Sequence, residues 1–130
     1  MANPNIVNVT SIYGNTTYYT PSGTSAVVLL PNAASSGVVN KIGNVVVSNV
    51  TALNANATVS IYSNGAVAQG SAPSGGTAYP IAFQVSVPAN ATLVVVDKST
   101  SFYLQEGTSI SITSGTANSL TFTTSYEAIS

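Results

Sequence analysis

Apolar residues recur along this chain at every second position or in short runs, and nowhere at helical spacing. β-branched Val, Ile and Thr dominate these segments and turn formers bound them, which predicts strands. Residues 6–12 read as a first strand and 16–20 as a second, stopped at Pro21-Ser22-Gly23. Residues 26–30 form a continuous apolar run, as expected of a strand covered on both faces, and Pro31 and Asn32 close it. Residues 38–50 make the longest segment, and Gly43 inside it predicts a bulge or bend. Residues 58–62 alternate cleanly, and Asn64-Gly65 behind them carries the signature of a type I′ hairpin.

The stretch 69–76 offers no side chain to a core, and we expect a long surface loop over 64–80. Residues 81–87 then alternate, which would place Ile81, Phe83, Val85 and Val87 on one face. Pro88-Ala89-Asn90 turns the chain into a second buried run at 92–96, closed by Asp97-Lys98. Short segments at 102–104, 109–113 and 120–126 complete the chain. About eight to ten strands at regular turn spacing indicate one all-β domain, a single antiparallel β-sandwich. Two facing sheets suit the doubly apolar runs better than a small barrel does. Jelly-roll-like and immunoglobulin-like topologies both remain open at this level. Residues 1–5 read either as an extended arm or as a fraying end.

Composition changes what such a sandwich can do. Of 130 residues, 45% are hydrophobic and only 4% charged, against roughly a quarter charged in ordinary globular chains. The five charges are Lys41, Lys98, Asp97, Glu106 and Glu127; Ser, Thr and Asn take the remaining polar positions. Two lysines without arginine make no phosphate-tracking patch, which argues against nucleic acid as a partner and against anionic membranes. No apolar run approaches the roughly 20 residues of a membrane span, and no signal peptide is visible, so the expectation is synthesis in a cytoplasm. Cysteine is absent, so no disulfide forms. Five Asn-x-Ser/Thr sequences, at Asn8, Asn15, Asn49, Asn56 and Asn90, follow from the richness in Asn and Thr and read as turn and strand-edge residues.

The usual chemistry of catalysis is missing. There is no histidine, the side chain that most often moves protons near neutral pH. A serine nucleophile would have only Lys41 or Lys98 as its base, and neither lies in a nucleophile motif. Asp97, Glu106 and Glu127 fall at turns or the C-terminal end and read as solvated carboxylates rather than a paired acid and base. Ligands for zinc or calcium are lacking, and Gly75-Gly76 has neither the lysine nor the helix of a phosphate loop. The expectation is a non-enzymatic protein with no cofactor. Seven tyrosines supply most of the aromatic surface, and such rings serve interfaces and sugars alike. Tyr18, Tyr19 and Tyr79 are the candidate interaction residues; Tyr18 and Tyr19, being adjacent on a strand, should point to opposite faces.

Particular stretches are familiar. Residues 85–95, Asp97-Lys98, residues 102–110 and the ending 123–130 resemble small all-β virion accessory proteins of tailed phages, as do 45–50 and 58–62. The likeness spans most of 38–130 and is to forms found in phages of marine cyanobacteria. These are strand-and-turn patterns, so they specify a scaffold more than a role. The resemblance implies a protein that decorates or cements the outside of a phage head. Its partner would be the major capsid protein or another virion protein, and copies would repeat as a homo-oligomer on the particle. A tail, neck or fibre component is one alternative. The other is a carbohydrate-binding module reaching host glycans through Tyr18, Tyr19 or Tyr79.

Overall fold

The computed structural model describes residues 4–130. Nine strands form two antiparallel sheets. They are β1 (Ile12–Tyr19), β2 (Val27–Asn32), β3 (Val39–Asn49), β4 (Ala55–Tyr62), β5 (Ala78–Val87), β6 (Thr92–Val96), β7 (Phe102–Leu104), β8 (Thr108–Ser114) and β9 (Leu120–Ile129). The first sheet runs β1-β9-β3-β6, with β7 also paired to β3. The second runs β2-β8-β4-β5. Strands therefore pair from the two ends of the chain inward: β1 with β9, β2 with β8, β3 with β6 and β7, β4 with β5. Only β4 and β5 are both successive and paired. A long antiparallel ribbon wound in this way is a jelly roll, not the ABED/CFG order of an immunoglobulin sandwich.

The core between the sheets is aliphatic. Leu29, Ile42, Val45, Val47, Ala57, Val59, Val87, Ile110, Ile112 and Leu120 are buried around a single phenyl ring, Phe122. Each of the larger side chains contributes about 1.5–3 kcal/mol by leaving water. Two buried asparagines clip the sheets together. Asn32, on β2, donates from Nδ2 to the Val38 and Leu104 carbonyls, both at 3.0 Å, and accepts from the Ser36 hydroxyl at 2.6 Å. Asn49, on β3, donates to the Leu53 and Val87 carbonyls at 2.8 and 3.0 Å and accepts from the Thr51 backbone N–H and hydroxyl. Each bridges from one sheet to the other.

Gly43 is a bulge as expected: β3 shifts register against β9 between Ile42 and Asn44. Residues 26–30 are also covered on both sides, with Val28, Leu29 and Leu30 all buried. The cover on the outer side is the connection 63–77. Its Ser71 carbonyl and Gly70 N–H bond the Val28 backbone, and Gln69 donates from Nε2 to the Leu29 carbonyl and the Thr17 hydroxyl, both at 2.8 Å. Ser60, Ser109 and Ser111 on the second sheet are buried, and Ser109 donates to the Asn64 carbonyl at 2.9 Å. The expected surface loop is thus a lid on the second sheet, and it ends earlier than 80 because β5 starts at Ala78.

Other expectations are corrected. Residues 6–12 are not a strand: the chain turns at Asn5, whose side chain accepts from Val7 N–H, and Val7 is 91% exposed. The first strand begins at Ile12 and absorbs the segment read as the second. Of the proposed arm at 1–5, residues 1–3 lie outside the described residues. Asn64-Gly65 is no type I′ turn, because neither residue has the positive φ that turn requires; Asn64 instead organises the lid, bonding Ala66 N–H and the Ser74 carbonyl. Residues 92–96 are not covered on both faces: β6 borders the first sheet, and Val94 is 56% exposed.

After β6 one 3₁₀ turn (Lys98–Thr100) is capped by Asp97, which accepts from the Ser99 hydroxyl and from Ser99 and Thr100 N–H. Bonds from Ser99, chiefly its hydroxyl, hold the Asp97 carboxyl below its ordinary 3.8. A carboxylate whose folded pKa is depressed stabilises the fold above that value and ceases to do so as pH falls through it. Acid titration of the wild type should therefore show a small stability loss below about pH 4 that Asp97→Asn abolishes. Denaturant midpoints measured at neutral and acid pH for both chains check this.

Candidate interaction surfaces

The three sequence-selected tyrosines do not converge. Tyr18 and Tyr79 are both largely exposed, while Tyr19 is half-buried against the core. The outward and inward assignments of the adjacent pair follow from strand alternation. Tyr18 belongs to β1, at one lateral border of the sandwich, and Tyr79 to β5, at the opposite one.

At that opposite border, β5 is the edge of the second sheet, and a short connection at 88–91 leads from it into β6. Two register shifts divide β5. Between Ala57↔Val85 and Val59↔Ala82 the strand spends three residues against two, and between Val59↔Ala82 and Ser60↔Pro80 two against one. Each inserted residue reverses the alternation. The single apolar face expected of Ile81, Phe83, Val85 and Val87 is therefore broken: Val85 and Val87 keep one register, while Phe83 and Ile81 lie beyond it. Only Val87 reaches the core; Ile81, Phe83 and Val85 are exposed with Tyr79, and Phe83 and Tyr79 are each more than 60% exposed. Sequence reading singled out Tyr79 but missed Ile81, Phe83 and Val85 as surface residues. The signal available was Pro80, since proline inside a strand marks an edge.

Two depressions open on the outer sheet faces. One, about 310 Å³, lies across β1, β9 and β3, where Gly14 and Gly43 bring no side chain. Lys41, Ser125, Tyr126 and Glu127 border it, and the register sets Lys41 directly opposite Glu127. Burial raises the Tyr126 phenol above its ordinary 10.0, so it stays neutral there. Lys41 is half-buried and Lys98 exposed. The other depression, about 240 Å³, lies on the second sheet between β8, β4 and β5. Thr24, Asn56, Thr58, Gln84, Thr113 and Gly115 line it, without a charged group among them.

Among the described residues no group of three or more His, Cys, Asp or Glu side chains is placed to hold a metal ion, and no helix is long and apolar enough to cross a membrane. Asn49, one of the five Asn-x-Ser/Thr sites, has its amide committed to two carbonyls inside the fold, so a glycan there is incompatible with the native state. Comparison of the chain with protein-family models, with curated proteins and with solved structures finds no match in any of the three.

Proposed function

We propose that this protein is a structural component of a virus particle, attached to the outer surface of the shell through the β5 border. The exposed row Tyr79, Ile81, Phe83 and Val85 carries the reading. Those four side chains present on the order of 400 Å² of apolar surface along one strand, the scale at which a patch on a monomer usually has a partner. The bulges that break β5 keep its edge from zippering indiscriminately onto other strands. The rings and branched chains are then free to fill apolar hollows of a neighbour. The likeness of 85–95, 102–110 and 123–130 to phage accessory proteins supports a shell as that neighbour. Jelly rolls occur among viral structural domains, a fold-level analogy that raises the prior and assigns no role.

With five charged residues in the chain, attachment rests on apolar contact, which salt does not screen. A modest patch on each copy suffices when copies repeat around a symmetric shell. Co-sedimentation of the intact chain with shells of the phage class it resembles should change less than about twofold between 0.05 and 1 M salt. Phe83→Asp should weaken binding by about 30-fold or more, the effect of losing a central aromatic anchor. Release by salt alone from intact shells would overturn the apolar mechanism, and full binding by the Phe83 variant would overturn the surface.

A further inference from the structure

We propose that the depression on the outer face of the second sheet is a binding site for one neutral sugar ring. This is a separate site from the tyrosines considered above, and it does not depend on the attachment reading. Four observations carry it.

The lining is made of hydroxyls and amides: Thr24, Asn56, Thr58, Gln84 and Thr113, together with Gly115. A hydroxyl or a carboxamide both donates and accepts. Sugar hydroxyls also do both, and they occur closely spaced around a ring. A phosphate or carboxylate ligand would instead call for a cation, and none lines the site. A cationic ligand would call for a carboxylate, equally lacking there. The volume, about 240 Å³, falls below the roughly 300–1,000 Å³ that receives drug-sized molecules. One ring fits; an extended chain does not.

The backbone at this place is strained in favour of a side chain. Gln84 has φ 50°, in the left-handed region where glycine is at ease and a glutamine is not. The strain coincides with the β5 bulge opposite Thr58, and the Thr58 hydroxyl accepts the Gln84 N–H at 3.0 Å. A glycine would form this bulge without conflict. The glutamine adds a carboxamide to the depression, the kind of local cost that accumulates at functional positions.

The remaining groups are held in place. Thr58 and Thr113 are directly opposed across β4 and β8, and Asn56 is fixed through its carbonyl by Gly115 N–H at 2.8 Å.

The test is an NMR titration of the isotope-labelled full chain with the methyl glycosides of glucose, mannose, galactose and N-acetylglucosamine. At least one should give saturable shifts centred on Asn56, Thr58, Gln84 and Thr113, with a dissociation constant on the order of 1 mM, as expected of a ligand with few atoms. Gln84→Gly removes the carboxamide while relieving the backbone. It should weaken binding about fivefold or more and leave the melting temperature equal or higher. Thr113→Val should weaken it similarly, and Thr16→Val, at the other depression, should leave it unchanged. The proposal is overturned if none of the four glycosides gives saturable shifts at these residues. It is equally overturned if both site variants bind as the wild type does, or if the anionic sugar N-acetylneuraminate binds more tightly than every neutral one.

Discussion

Gly65→Ala is expected to lower the melting temperature by about 15 °C, equivalent to a loss of about 4 kcal/mol. Gly65 is buried where the lid leaves β4 and crosses the ends of β2 and β8. A Cβ built there would overlap the Asn32 carbonyl oxygen and lie 2.6 Å from the Thr108 carbonyl oxygen. Both obstacles are backbone, so no side-chain rotation relieves them. The Asn32 carbonyl is also the acceptor for Gly107 N–H at 2.8 Å, and Asn32 itself holds the two sheets together. One methyl group thus moves a strand end, a turn and a buried clip at once. Gly14→Ala is the control: nothing lies within 4 Å of its Cβ, and relieving a mid-strand glycine should be neutral or stabilising by about 0.5 kcal/mol. Thermal unfolding of both variants by circular dichroism separates steric exclusion from a general preference for glycine. Equal melting temperatures would refute the packing described for the lid.

The same residue shows where sequence reading reached and where it stopped. Asn64-Gly65 looked like a hairpin because its dipeptide chemistry is that of a tight turn. Its glycine is needed for a different reason, close backbone approach, and that depends on strands 33 and 43 residues away in sequence. Local chemistry cannot distinguish the two uses. Gly43 was legible because a lone glycine inside a long strand has one dominant meaning, a bulge. The lid reads as a surface loop because residues 69–76 offer no core side chain, yet it bonds the Val28 backbone and Ser109 and so packs on the second sheet. On β5 the alternation was real in the sequence and false in space. Two inserted residues reversed it, and inserts are set by the partner strand. For β6 the continuous apolar run suggested cover on both faces, but edge position is a property of the whole topology. Of the candidate surfaces, the exposure of Tyr18 and Tyr79 followed expectation, whereas Phe83 and Gln84 became visible only with the register in hand.

These readings place function on the features that escaped the pattern. A jelly roll of alternating strands accounts for the core, and Pro31 and Pro80 both sit in border strands, as the loss of an N–H donor requires. The border leaves Tyr79, Ile81, Phe83 and Val85 exposed because β5 is an edge strand, and its bulges put Ile81 and Phe83 out of step with the core-facing alternation. The neutral depression carries Gln84 because one of those bulges placed a carboxamide on strained backbone. The shift opposite Thr58 lies between Val85 and Ala82 and so involves both Phe83 of the apolar border and Gln84 of the depression, and repairing it by deleting one inserted residue should disturb both surfaces.

Asn49→Ala is expected to cost about 3 kcal/mol, because it strands several buried groups rather than removing one bond. The Leu53 and Val87 carbonyls lose their donor, and Thr51 loses its acceptor for both N–H and hydroxyl. Asn49→Asp keeps the shape and reverses the electrostatics. The oxygen that replaces Nδ2 would face the Leu53 and Val87 carbonyl oxygens, while the other keeps the bonds from Thr51; in a site that is 3% exposed, that repulsion and the burial disfavour the charged carboxylate and raise its folded pKa above the unfolded value of about 3.9. A group whose folded pKa is raised stabilises the fold below the unfolded pKa and loses that contribution as pH rises through the folded one. The Asp variant should therefore be closest to wild type near pH 4, where a protonated carboxyl still donates one bond, and weakest at pH 7. That trend is opposite in sign to the one Asp97 imposes on the wild type. Urea unfolding of the variant and the wild type at both values of pH measures it. A stability gap that stays constant between them would mean that Asn49 does not bridge the sheets through its amide.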